Sequence, residues 1–349
     1  MNKFISVGSQ AGSVGGGFKK VLVAAPLMFG FAMMSPMANA ADCGSVTIAS
    51  MNWASAELLA EVDKFILQNG YDCDASIVLG DTVPTLTSMA EKGKPDIAPE
   101  SWTSLRPPIT QTNIKEGKLL IASKAFSEGG VQGIYVPKFI VDQNPDIKTI
   151  ADALKHPELF PDPEDPSKGA WSAGQQGWGG TIIASQYYKA FKGKEAGFNL
   201  VDTGSAAGHD GSLIHAYERK KGWIGYYWDP TSLLGKYQMV RLPSGVPYDD
   251  AEWNRCNKVE KCPDPKPNEW PADEVNTIVT KSFADRAGSA YKYLTTRSWP
   301  NEVVSKMLAW MADNQATGED GAKQFLKKNP DVWAKWVDPE TAEKIKSAL

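Results

Sequence analysis

Short β-type runs alternate with amphipathic helical runs along most of the chain, and that alternation leaves few architectures open. SVTIASMNWASAELLAEVDKFILQNG reads as strand, bend and helix: Leu58, Leu59, Val62, Phe65 and Ile66 recur at helical spacing, and Gly70 is placed to end the run. ASIVLG supplies the next strand, Pro84 opens a helix through Leu86 and Met89, and PDIAPESW returns to strand and loop. After SEGGVQGIYVP the pattern restarts. IADALKH reads as helix, residues 157–168 as a Pro- and Asp-rich loop, GAWSAG as strand, TIIASQYYKAF as helix, NLVDTG as strand, DGSLIHAYERKK as helix and WIGYYW as strand. Such alternation predicts an α/β fold with buried, largely parallel strands. Two such sections without a short internal repeat predict two lobes. Residues 250–271 read as irregular loop, and the tail as mostly helical, with Val332 and Trp336 four residues apart on one packing face.

The first forty residues pose a separate problem. Lys19 and Lys20 precede the apolar run VLVAAPLMFGFAMM, which is short for a membrane span, and Ala38, Asn39 and Ala40 form a small-residue cleavage pattern. These features predict a secretory signal peptide over residues 1–40. A lipid anchor on Cys43 fits less well, because Asp42 stands where a small residue is expected. Export predicts a soluble chain in an oxidising compartment. Without its leader the chain keeps 309 of 349 residues, and its basic residues fall from 37 to 34 against 41 acidic ones, a formal charge of −7. That length suits two domains, and the charge argues against a nucleic-acid partner.

The four cysteines form two local pairs. Cys256 and Cys262 bracket a polar loop, while Cys43 and Cys73 each stand three residues before a predicted strand, at Val46 and Ser76. If those strands are parallel neighbours, both cysteines come within bridging distance, so disulfides Cys43–Cys73 and Cys256–Cys262 are expected. Neither pair has the close spacing of common zinc sites, and no metal or cofactor is expected.

Four tryptophans occupy predicted element-to-loop transitions: Trp53 in MNWAS, Trp102 in PESWTS, Trp178 in GQQGWGGT and Trp228 in YYWDP. Core packing explains any one of them. Ligands of open α/β sheets bind at the carboxyl ends of strands, so recurrence at four such edges points to convergence. A cage of aromatic faces suits a quaternary ammonium group, whose methyls contact the rings without needing hydrogen bonds. GQQGWGGT, with Gly179 just before a predicted helix, offers backbone N–H groups to a carboxylate or other oxygen, although a tight structural turn has the same composition. Glu128, with Gly129 and Gly130 in SEGGVQG, stands at the expected lobe boundary, where it adds negative potential or remains a solvated loop acid.

Catalytic patterns are sparse. His209 and His215 lie six apart, on different helix faces, and His156 flanks a Pro-rich loop. No Gly-x-Ser-x-Gly elbow, HExxH site or dinucleotide fingerprint occurs. A secreted hydrolase on an α/β scaffold is the alternative of a different class.

With these motifs in order, the chain resembles the glycine betaine/choline/proline betaine substrate-binding family of ABC importers, including the similar trimethylamine N-oxide binders. The resemblance rests on TIASMNWASAELLA, PDIAPESW, GGVQGIYVP, GWIGYYWDPTSLLGKYQMVRLP and FLKKNPDVWAKWV, which together extend over nearly all of the chain after the leader. It implies a two-lobed periplasmic binding protein with a hinge and an interlobe cleft, residues 41–133 and 243–349 forming one discontinuous lobe and residues 134–242 the other. Trp53 and Trp102 would then face Trp178 and Trp228 across the cleft. The implied function is capture of a methylated amine by a monomer that delivers it to a membrane permease. Trimethylamine N-oxide and choline stand beside glycine betaine as ligands, because the cage motifs contain no Arg and Glu128 tolerates positive charge.

Overall fold

The computed structural model describes residues 43–349; the signal peptide expected over residues 1–40 lies outside the described residues. Among the described residues ten strands form two five-stranded sheets. The first has the order β2 (Asp74–Gly80), β1 (Ser45–Met51), β3 (Ile97–Trp102), β10 (Val275–Thr280), β4 (Leu119–Lys124). The second has the order β7 (Phe198–Asp202), β6 (Gly169–Gly174), β8 (Ile224–Asp229), β5 (Val131–Pro137), β9 (Met239–Leu242). In each, four strands run in one direction and a single strand, β10 in the first sheet and β5 in the second, runs against them between two neighbours. The expected predominance of one strand direction holds in both sheets, with two of the four pairings in each made antiparallel by that single reversed strand. Chain reversals at the returns between sheets bring in the antiparallel partners.

Both sheets are flanked by helices that bury apolar faces. In helix α1 (Ala54–Tyr71) Leu58, Leu59, Val62 and Ile66 are buried, as their spacing predicts, while Phe65 is only partly covered. Gly70 does not end this helix. It lies inside, where a Cβ would stand 2.8 Å from Thr341 Cγ2, so its smallness admits the C-terminal helix Pro339–Ser347, and Asp72 terminates α1 with φ 54°. Helix α2 (Thr82–Lys92) starts two residues before Pro84. IADALKH yields only the single turn Ile150–Ala153, closed by a capping box between Thr149 and Asp152. Val332 and Trp336 do not share a helix, since the turn Pro330–Trp333 stops between them; Trp336 packs instead on Phe325 and Trp299.

The chain passes from β4 to β5 through residues 125–130 and returns through residues 243–274. Gly130 and Asp273 meet in an isolated antiparallel bridge where the two passages run side by side. The returning segment contains a short π-helical turn, Trp253–Asn257, and is anchored to the second lobe: Trp253 and Trp270 pack edge-on against Tyr187, and Gln186 Nε2 donates to Val259 O at 2.7 Å.

Both disulfides form, Cys43–Cys73 with Cα atoms 5.5 Å apart and Cys256–Cys262 with 5.4 Å. The first follows from the parallel register of β1 and β2, which pairs Ser45 with Asp74 and so sets the preceding cysteines side by side. One buried ion pair supports β3 from behind. The Arg297 guanidinium lies 3.0 Å from Asp63 Oδ1 and donates to Pro99 O and Thr277 Oγ1.

Candidate functional site

The site is assembled where parallel strands end. In the first lobe β1 runs into Asn52 and Trp53, β2 into Asp81 and Thr82, and β3 closes on Trp102. In the second, β6 runs into the Gln175–Trp178 turn and β8 delivers Trp228 one residue before its end. Trp53, Trp102, Trp178 and Trp228, together with Thr82, Leu105 and Tyr226, line one cavity of about 20 Å³. The four indoles are 9, 3, 3 and 8% exposed.

Their mutual geometry is that of walls. Trp178 meets Trp53 edge-on at 6.3 Å and 89°, and Trp228 at 5.2 Å and 86°, while Trp228 stacks on Tyr226 at 5.6 Å and 24°. Three of the four indole N–H groups are already bonded within the protein. Trp53 and Trp102 donate to Glu100 Oε1 at 2.7 and 2.8 Å, and Trp178 donates to Asn52 Oδ1 at 2.7 Å. What these rings still offer a guest is π surface, which attracts cations and methylated ammonium.

Glu100 is the acidic group of the site. It is 1% exposed, and Ser55 Oγ adds a third hydrogen bond to Oε1 at 3.1 Å, while Oε2 is buried without a partner. Burial pushes its carboxyl above the usual carboxylate range, against the downward pull of the Trp102, Trp53 and Ser55 hydrogen bonds and of Arg297. No Lys, Arg or His lines the cavity.

The lobes meet directly around it. Besides the Trp178–Asn52 bond, Gln175 Nε2 donates to Asp81 Oδ1 at 2.9 Å and Val83 N to Gly177 O at 3.1 Å. A Cβ on Gly179 would stand 2.7 Å from Leu105 O, so this glycine serves close approach of the two lobes.

Glu128, anticipated as an acidic partner, does not line the cavity. Its exposed carboxylate accepts from Ser127 Oγ and from Asn301 N, the first residue of helix Asn301–Asn314. The hydrogen bond from the Ser127 hydroxyl, and after it the one from the Asn301 backbone N–H, hold it below its usual range. Gly129 takes φ 75° against Asp273 O, and Gly130 lies against the Trp102 ring, where any Cβ would collide. Gly129 shapes the crossover, and Gly130 backs a cage wall. His209 is a core residue: it is fully buried, its Nε2 lies 2.7 Å from Tyr226 O, and burial lowers its pKa to about 4.

Sequence reasoning missed Glu100, Thr82 and Asn52. Glu100 had a signal, standing two residues before Trp102 in a strand otherwise without charge, where a carboxylate needs a partner. Asn52 adjoins Trp53 but carries no pattern, and Thr82 is an ordinary helix-start residue.

Residues 44–328 match the family described as the substrate binding domain of ABC-type glycine betaine transport system. The glycine betaine/carnitine transport binding protein GbuC of Listeria monocytogenes serotype 1/2a (strain 10403S) is 36% identical over 138 residues, which span 40% of this chain and 39% of that protein. Among solved structures, the glycine betaine/L-proline-binding protein ProX of Borrelia burgdorferi superposes with a TM-score of 0.65 at 18% identity, over 86% of this chain and 99% of that one. An ABC-transporter choline binding protein in complex with choline gives 0.67 at 16% identity, over 88% and 98%. At such identities the structural likeness carries the fold alone.

Proposed function

The chain belongs to the family of substrate-binding domains of ABC-type glycine betaine transport systems, and from that premise we propose that it captures a small quaternary or methylated amine of the glycine betaine class and delivers it to an ABC permease. One observation carries this reading: indole rings from both lobes enclose a single cavity with a buried acid behind two of them. Methyl groups on a positive nitrogen pack against such faces, each cation–ring contact being worth about 0.5–2 kcal/mol. No covalent step is involved, and the chain acts as a binding protein and not an enzyme.

Guest binding draws both lobes onto the ligand and shifts the population toward the closed form. We place the hinge at the paired passages, residues 125–130 and the segment just before β10. On this reading residues 243–270 move with the second lobe and not with the first, because Trp253 and Trp270 are packed on Tyr187. The protein works as a monomer in the periplasm, consistent with the leader read in its sequence. Among the described residues no helix is long and apolar enough to cross a membrane.

Calorimetric titration of folded, ligand-stripped protein tests the proposal. Methylated amines bind, whereas ordinary amino acids and sugars do not. Trp178→Ala weakens binding strongly, while Trp333→Ala, which removes a fully buried ring bonded to Leu326 O, costs about 3–5 kcal/mol of stability and leaves ligand affinity intact. Failure of every methylated amine to bind would refute the cage.

A further inference from the structure

The second lobe holds a groove of about 570 Å³ that shares no lining residue with the cage, a volume in the range of small-molecule sites. It lies between helix Ala206–Glu218 and strands β6 and β7, where small residues face each other. The helix brings Gly208, Gly211, Ser212, His215 and Arg219 to the groove at helical spacing. Strand β6 answers with Ala170 and Ser172, two apart and so on one face of the sheet. Only His209 and Leu213 of this helix are buried. Gly208 has a local cause, since a Cβ there would stand 2.4 Å from Thr203 O. Gly211 has none: beyond its own helix nothing lies within 4 Å of a Cβ built at that position, yet a glycine inside a helix weakens it relative to alanine. The packing gains nothing from Gly211, and its absent side chain keeps the groove open.

The lining divides into an apolar body and a basic rim. Phe160, Pro161, Val201, Ala216 and Trp223 supply apolar surface, and Trp223 is fixed by donating its indole N–H to Ser212 Oγ at 3.0 Å. On β6, Ser172 is 5% exposed, and its Oγ has no hydrogen-bond partner among the described residues. Buried polar groups normally have one. Asp162, the one acid in the lining, has both oxygens occupied, Oδ1 by Glu164 N at 2.9 Å and Oδ2 by Asn199 Nδ2 at 2.8 Å. Arg219 and Lys221 are exposed, and among the described residues neither makes an ion pair or a side-chain hydrogen bond. A guest that answers all three features has an apolar ring system, one anionic group and a polar substituent.

We propose that this groove is a second ligand site, independent of the cage, and that it takes a small aromatic carboxylate. Arg219 and Lys221 bind the carboxylate at the rim, the ring lies between Gly211 and β6 beside Trp223, and Ser172 Oγ bonds a hydroxyl on the far side of the ring. The cage selects a positive nitrogen and the groove a negative pair of oxygens, so one chain carries two sites of opposite charge preference.

Calorimetric titration with naphthoate, its ring-hydroxylated form, neutral naphthamide and octanoate tests this on the wild type, Gly211→Leu, Ser172→Ala and the double variant Arg219→Gln/Lys221→Gln. Hydroxynaphthoate binds the wild type saturably at one site, and the double variant about ten-fold or more weakly, the size of a lost hydrogen bond to a charged group. Gly211→Leu strengthens the helix and fills the groove at a position with room for the side chain, and it abolishes binding. Ser172→Ala removes the advantage of hydroxynaphthoate over naphthoate. Saturating tetramethylammonium, the probe for the cage, does not displace the carboxylate. Binding of naphthamide as tight as that of naphthoate, or tighter binding of octanoate, would overturn the assignment, as would undiminished binding to Gly211→Leu or to the double variant. If hydroxynaphthoate failed to bind the wild type, the groove would be a surface hollow and the proposal would fall, with the cage reading untouched.

Discussion

Trp53 and Trp102 donate their indole N–H groups to one carboxylate oxygen, Glu100 Oε1, at 2.7 and 2.8 Å. The shared acceptor fixes two cage walls relative to each other although they lie on different strand ends. When ionised, it also sets a negative charge at their N–H edges, which makes the rings better hosts for a cation.

Glu100→Gln keeps an acceptor in place but removes the charge, and tetramethylammonium affinity is expected to drop by about 0.5–2 kcal/mol, the range of a single cation–π contact. The titratable groups that act on Glu100 are Arg297, whose guanidinium is itself paired with Asp63, and Tyr226. Burial holds its carboxyl above the ordinary range, and a bound cation favours the ionised form. Affinity in the wild type therefore falls as pH drops through that raised value, and the Gln variant loses this dependence. Titrations at several pH values check both statements; an unchanged affinity in the Gln variant would show that the charge is not felt in the cage.

Closure depends on a small set of bonds between lobes. Asn52→Ala leaves the Trp178 N–H without its acceptor in a site from which water is excluded, a cost of about 1–3 kcal/mol to the closed form alone. Ligand affinity should weaken accordingly while thermal stability of the ligand-free protein stays near the wild-type value. Small-angle scattering with and without ligand gives the companion readout: the wild type compacts on saturation, and Asn52→Ala needs more ligand to reach the same envelope. Equal affinities in the two proteins would remove this bond from the closing mechanism.

The α/β alternation and the four convergent tryptophans were legible because each leaves a local mark, periodicity in one case and aromatic residues at strand ends in the other. The Cys43–Cys73 bridge was legible for the same reason, since its geometry follows from two strands in register. Glu128 misled because a charged residue at a crossover looks functional, whereas its real partner, the start of helix Asn301–Asn314, lies 173 residues away in sequence. Glu100 is enclosed by Trp53, Ser55 and Trp102 from separate elements of its own lobe, and Thr82 shares a cavity with Trp178, Tyr226 and Trp228 of the other, and no local pattern encodes what will cover a residue. Gly70 shows the same limit: its helix continues because another helix packs on it.

The two disulfides should differ in worth. Cys43–Cys73 spans a separation of 30 residues and Cys256–Cys262 one of 6. Loop-closure entropy in the unfolded chain then predicts losses of about 3–4 and about 2 kcal/mol when each pair is replaced by serine. Denaturant unfolding of the two double-serine variants measures the order, and nonreducing peptide mapping of the exported wild type recovers both linked peptides. A larger loss from the 256–262 pair would mean that the bridge acts by holding the returning segment on the second lobe rather than through chain entropy.

Asp210 carries a pH signature that can be read on the ligand-free protein. It accepts from Tyr227 Oη at 2.7 Å, and burial raises its pKa from 3.8 to about 6, only partly opposed by that hydrogen bond. Between those two values the folded protein holds a proton that the unfolded chain has released. Stability therefore falls as pH rises through this window and levels off above about 6. In Asp210→Asn the hydroxyl of Tyr227 keeps an acceptor and the titration disappears. The difference in unfolding free energy between variant and wild type should grow in favour of the variant from pH 4 to pH 6 and then stay constant. Denaturant melts of both proteins at half-unit pH steps, without ligand, measure it. A difference independent of pH would show that Asp210 ionises in the folded protein as it does in the unfolded chain.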